Sequence, residues 1–160
     1  MTEEPTYYIT VEISPEVTGS VPVEDLIRAA RTVLSLENAA GPLELSVVIT
    51  DAETIRGMNR TYRSLDAPTD VLAFAMREGT DRFVLPTALI PYLGDVVISY
   101  PNAVEQSQLG GHPVRDELML LTVHGVLHLL GYDDQEKAAR QRMWAAQGRA
   151  LRALGLSLQV

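Results

Sequence analysis

The sequence predicts an α/β (α+β) fold, a small mixed sheet of about four strands packed with helices in one domain over residues 1–160. Three observations predict it. A chain of 160 residues with 46% apolar content has the size and composition of one compact core. Two strand-to-helix passages open the chain, and further strands and then helices follow. The most apolar stretch, residues 113–130, has helical spacing with apolar residues almost all round, the mark of a helix inside a domain.

Taken in order, YYITVEI (Tyr7–Ile13) has the β-branched and aromatic content of a strand, and the turn-rich SPEVTGSVP follows it. Val23, Leu26, Ile27, Ala30, Val33 and Leu34 then recur at helical spacing, with Gly41 as the expected stop. LELSVVIT is the next strand. Thr50 and Glu53 have the Ser/Thr-x-x-Glu spacing of a capping box, which opens a helix over residues 51 to about 62. TDVLAFAM (69–76) and GDVVISY (94–100) read as two further strands, joined by a long irregular connection of the kind that borders active sites. Gly131 ends the buried helix, and a closing helix follows whose apolar side carries Met143, Trp144, Leu151 and Leu154. No internal repeat or low-complexity tract interrupts this order.

Composition removes several function classes. Thirteen Lys+Arg against 21 Asp+Glu leave a net charge of −8, which disfavours coating of nucleic acid or anionic lipid by bulk charge, so any such contact is local. Zero cysteines exclude disulfide scaffolds, thiolate nucleophiles and Cys-ligated metals, leaving His, Asp and Glu as ligands. The acidic amino terminus lacks the order of a secretory signal, so a cytoplasmic location is expected. The apolar run 118–130 is interrupted by two histidines and is well short of the roughly 20 residues a membrane helix needs, so no membrane partner is expected.

The chemistry concentrates in HGVLHLLGYDD, residues 124–134. His124 and His128 stand four apart on a helix, so both rings leave one face with Cβ atoms roughly 6 Å apart, within reach of one ion. Gly131 lets the chain turn back. Asp134 then falls at the third position of HxxxHxxGxxH, the ligand spacing of the metzincin proteases. Three protein ligands leave a coordination position open, as catalytic rather than structural sites do. The alternative is a pair of core histidines with satisfied ring nitrogens. Burying two imidazoles without a shared partner is costly, and the offsets of Gly131 and Asp134 add to the case for ligation. His112, beside Pro113, reads instead as a solvated loop or cap residue. Zinc peptidases carry a Glu general base directly after the first His, and here that residue is Gly125, so a peptidase reading loses its base.

A second feature is the helix ETIRGMNRTYR, in which Arg56, Arg60 and Arg63 form a basic stripe on an acidic protein. Such a run is commonly a solvated face. Twelve of the 13 basic residues are Arg, however, whose planar fork grips phosphate in two places. A phosphate-reading stripe together with a hydrolytic metal makes a coherent site for RNA cleavage.

HGVLHLLGYDD, NRTYRSLDAPTDVLAFAM (59–76) and LGDVVIS (93–99) together resemble the YbeY family, single-domain bacterial endoribonucleases also called ribosomal RNA maturation factors. The resemblance implies a metal-dependent, single-strand-specific endoribonuclease. Its expected role is 3′-end maturation of small-subunit ribosomal RNA, ribosome biogenesis and ribosome quality control. It also implies ribosomal RNA and the pre-ribosomal small subunit as partners, with a small-subunit ribosomal protein and the Era GTPase as further candidates. By the same resemblance His124, His128 and Asp134 hold one zinc ion per chain. Arg63, closing the NxxYR motif, takes the place of the family's functionally important arginine. The expected catalytic residues are therefore Arg63 and His124, and the expected substrate contacts Arg56, Arg60 and Arg63. Asp134 stands where most members have His, and an oxygen ligand weakens the preference for zinc over harder divalent ions. Two alternatives stay open: a non-catalytic ribosome-assembly factor with a structural metal, and a metallohydrolase or peptidase of other specificity.

Overall fold

The computed structural model describes residues 6–63, 69–76 and 90–158. Strands β1 (Tyr7–Ile13), β2 (Leu43–Thr50), β3 (Val71–Ala75) and β4 (Tyr92–Ser99) form one sheet in the order β1-β2-β4-β3. β1, β2 and β4 run parallel, and β3 joins the edge of β4 antiparallel, so the sheet is mixed and four-stranded as expected. The helices are α1 (Val23–Leu36), α2 (Ala52–Arg63), α3 (Tyr100–Gly110), α4 (Val114–Leu129) and α5 (Lys137–Ala153).

Strand alternation divides the apolar side chains between the two faces of this sheet. Leu45, Val47, Ile49, Val96 and Ile98 join the main core with α1, α4 and α5. On the other face, among the described residues, Leu72 and Val97 form a small buried cluster with Ile55 of α2, with Val48, Met58 and Phe74 packed around it. α4 fills the main core: Leu118, Met119, Leu121, Val123, Val126, Leu127 and Leu129 are all buried, each contributing roughly 1.5–3 kcal/mol of transfer free energy. Among the described residues no helix is long and apolar enough to cross a membrane.

Several local expectations are corrected. α1 stops at Leu36, with Asn38 in the left-handed conformation (φ 54°), five residues short of Gly41; Ala39 N–H closes back on Leu34. The cap of α2 is Asp51, whose carboxylate accepts from Thr54 N–H (2.6 Å) and Thr54 Oγ1 (2.9 Å). Thr50 cannot serve because it ends β2 with its side chain buried and accepting from Ser14 Oγ. α3 is an unexpected helix, capped by Ser99, opened by Pro101 and ended by Gly111 at φ 71°. Met143, Leu151 and Leu154 of the closing helical region are buried as expected, but Trp144 is 49% exposed. The expected long connection before β4 falls on residues 77–89, outside the described residues.

Candidate metal centre

His124 and His128 leave α4 one turn apart, and Gly131, at φ 102°, takes the chain out of the helix and back. Tyr132 anchors this turn. Its hydroxyl donates to Glu37 Oε1 at the end of α1, and that hydrogen bond holds the phenol above its usual pKa. The turn delivers Asp134 to the histidines, and ligand atoms of His124, His128 and Asp134 all lie within 4.8 Å of one another. The three residues expected to hold a metal are thus brought together. Asp133 faces elsewhere and accepts from Gln135 N–H.

The two imidazoles are oriented from behind. His124 Nδ1–H donates to Gln147 Oε1 of α5 at 2.9 Å, and His128 Nδ1–H donates to the Tyr132 carbonyl at 3.0 Å. With both Nδ1 atoms used as donors, the neutral rings turn their Nε2 lone pairs toward each other, 3.1 Å apart. Two acceptors in that position repel unless a proton or a metal ion lies between them. Ligands 2.0–2.1 Å from a tetrahedral ion would stand about 3.3 Å apart, so the observed spacing suits a divalent metal, and Asp134 supplies an anionic oxygen. The residues present fit the ion that the sequence implies.

A cavity of about 370 Å³ opens beside His124, lined by Asp70, Gln106, Glu117, Leu120, Leu121 and Gln147 among others. Asp70 at the start of β3 is held by Gln106 Nε2 of α3 (2.9 Å). His112 lies in the loop before α4 as expected, but rather than being solvated it is partly buried, and its Nε2–H donates to the buried Glu117 carboxylate at 2.6 Å, giving that group its partner. Gln147, Asp70, Gln106 and Glu117 escaped the sequence reading. Only the outlying position of a polar Gln147 in an otherwise small and apolar inner face of α5 could have signalled one of them.

Gly125 explains the missing peptidase base. A Cβ there would lie 2.4 Å from Val96 Cγ1, so the position faces β4 and admits no side chain without displacing the helix. The arginine stripe sits differently. α2 covers the opposite face of the sheet from α4, and exposed Arg56 and Arg60 border a separate surface hollow of about 540 Å³ with Glu53, Thr54 and Gly57. The structure does not bring those two arginines together with the histidines. Arg63 closes α2, and its side chain lies outside the described residues.

Comparison with known proteins identifies the family. A family model described as endoribonuclease YbeY matches residues 13–155. Relatives named endoribonuclease YbeY include one from Roseiflexus sp. (strain RS-1), 40% identical over 93% of this chain and 94% of its own length. Another, from Geobacillus kaustophilus, is 43% identical over 84% of this chain and 88% of its own. The solution structure of TM1509 from Thermotoga maritima shares the fold, with a TM-score of 0.56 at 23% identity over 90% of this chain and 88% of that one.

Proposed function

Because the chain belongs to the YbeY family, we propose that it is a metal-dependent endoribonuclease acting on single-stranded RNA of the small ribosomal subunit near its 3′ end. The observation that carries the metal dependence is the facing pair of Nε2 atoms with both Nδ1 hydrogens already engaged. His124, His128 and Asp134 would hold the ion. A divalent ion held there would supply Lewis-acid stabilisation of phosphate charge and would lower the pKa of a bound water. Gln147 and Tyr132 keep the ring nitrogens aimed at it, and Arg63 neutralises phosphoryl oxygens of the substrate. The chain from Arg63 continues to Asp70, which lines the His124 cavity. Arg56 and Arg60, on the far face, act as outlying phosphate contacts. A peptidase reading is disfavoured by Gly125 packed on Val96, and a purely structural metal by a protein ligand set of three.

The test is incubation of the purified protein with precursor RNA spanning the 3′ end of the small-subunit ribosomal RNA. Cleavage within single-stranded segments is expected. It should stop with chelator and return on adding zinc or manganese. Cleavage indifferent to chelator, or none under any divalent ion, overturns the proposal. Arg63→Ala should abolish cleavage with metal content and melting temperature unchanged.

A further inference from the structure

Helix α5 concentrates charge of one sign. Lys137, Arg140, Arg142, Arg149 and Arg152 give it five of the chain's 13 cations, and between residues 137 and 153 there is no carboxylate, although the protein as a whole carries −8. These cations fall on two flanks of the helix. Arg149 pairs with Glu37 at 3.5 Å, and Arg142 borders a hollow with Tyr132 and Asp133. The opposite flank carries Lys137, Arg140, Trp144 and Arg152, with Gly148 between the last two.

On that flank the aromatic ring is in water. Trp144 is the chain's one tryptophan and is 49% exposed, with the Arg140 guanidinium carbon 5.8 Å from its ring centroid. Among the described residues, Arg140 Nε is buried and has no hydrogen-bond partner, which leaves the outer guanidinium nitrogens as the groups able to meet a ligand. One turn past Trp144, Gly148 has no Cβ, and Arg152 Nη1 lies 3.3 Å from where one would be. Arg140 to Arg152 spans twelve residues, about 18 Å of helix with the ring one turn in from Arg140. The track borders the metal centre, since Gln147, three residues after Trp144 and seven after Arg140, receives the His124 Nδ1 hydrogen.

We propose that this flank of α5 binds a single-stranded stretch of the RNA substrate, one unpaired base stacking on Trp144 and adjacent phosphates gripped by Lys137, Arg140 and Arg152. The inference rests on the endoribonuclease reading for the identity of the strand. Charge complementarity selects a polyanion. A protein or bilayer partner would bury a contiguous apolar patch, yet among the described residues no other large apolar side chain exposed on α5 accompanies Trp144. One flat ring between cations is instead the format in which sequence-tolerant single-strand proteins hold a base.

The single tryptophan is its own reporter. With chelator present to prevent cleavage, titration of the full chain with a single-stranded RNA octamer should quench Trp144 fluorescence, and an RNA duplex of equal length should quench it far less. Binding followed by anisotropy of a labelled octamer should weaken on the order of tenfold in Trp144→Leu and recover in Trp144→Tyr. Arg140→Gln and Arg152→Gln should each lower the salt slope of binding by about one unit. Unchanged octamer affinity in Trp144→Leu, or quenching by anionic phospholipid vesicles and not by RNA, overturns the track. If wild type cuts precursor RNA while Trp144→Leu binds as wild type does, the track fails and the nuclease reading stands. If the octamer quenches but no divalent ion supports cleavage, the nuclease reading fails and the track stands.

Discussion

On one face of the sheet α4 lies between β3, β4, α1, α3 and α5, and the imidazoles on it are held by hydrogen bonds from two directions. On the other face, among the described residues, α2 rests on a small cluster around Ile55, Leu72 and Val97, and Arg56 and Arg60 are exposed. The difference fits the roles proposed for the two sets of side chains. A metal site tolerates misplacement of only about 0.5 Å, so its ligands sit where packing allows no choice. Phosphate contact by long guanidinium side chains, as proposed for Arg56 and Arg60, would work from an exposed helix face, since the fork adapts and the charge acts at a distance.

Substitutions can break or sharpen this contrast, and the largest effect is expected at the ligands. Asp134→Ala leaves two imidazoles, and metal content measured by elemental analysis should fall from about one ion per chain to near none. Asp134→His should keep the ion and favour zinc over manganese or magnesium more strongly than wild type does. Asp133→Asn, one residue away, should leave metal content unchanged. Retention of metal by Asp134→Ala would show that the site draws its third ligand from elsewhere.

Behind the ligands, Gln147→Leu keeps the volume and removes the acceptor of the His124 Nδ1 hydrogen. Metal affinity should drop 10–100-fold by competition with a chromogenic chelator, with little change in melting temperature of the loaded protein. An unaltered affinity would remove Gln147 from the site.

Two helical glycines then compare the packing of the faces directly. Gly125→Ala drives a methyl into Val96 and should destabilise by about 1–3 kcal/mol in urea unfolding. Asp51→Ala on the α2 side should cost about 1 kcal/mol through the lost cap. Its effect should depend on pH. Hydrogen bonds from Thr54 hold the Asp51 carboxyl below its ordinary value of 3.8. Its contribution is therefore present above that value and is lost as the pH falls through the lower folded one, so wild type and variant should converge in acid. The smallest effect is the reverse in sign: nothing lies within 4 Å of a Cβ at Gly57, so Gly57→Ala should stabilise by about 0.5–1 kcal/mol. Destabilisation there would mean that the α2 face is packed more tightly than its cluster indicates.

The sequence by itself determined the features whose physics is local. The i, i+4 spacing of His124 and His128, the release at Gly131 and the offset of Asp134 act within eleven residues, where helix geometry alone sets direction, and the structure brings those three side chains within 4.8 Å. Strand patterning likewise made β1 and β2 legible to the residue. Tertiary structure decided whatever depends on distant chain. Gln147 meets His124 across 23 residues, and periodicity carries no signal for that contact. Thr50 and Asp51 compete as caps, and the choice follows from Thr50 being turned inward at the end of β2 toward Ser14. Trp144 fits an apolar stripe by spacing, yet it stands in water because the inner face of α5 is already filled by Met143, Ala146, Gln147, Ala150 and Leu151. Hydrophobic spacing selects a face of a helix, but the edge of that face is drawn by the neighbours that cover it.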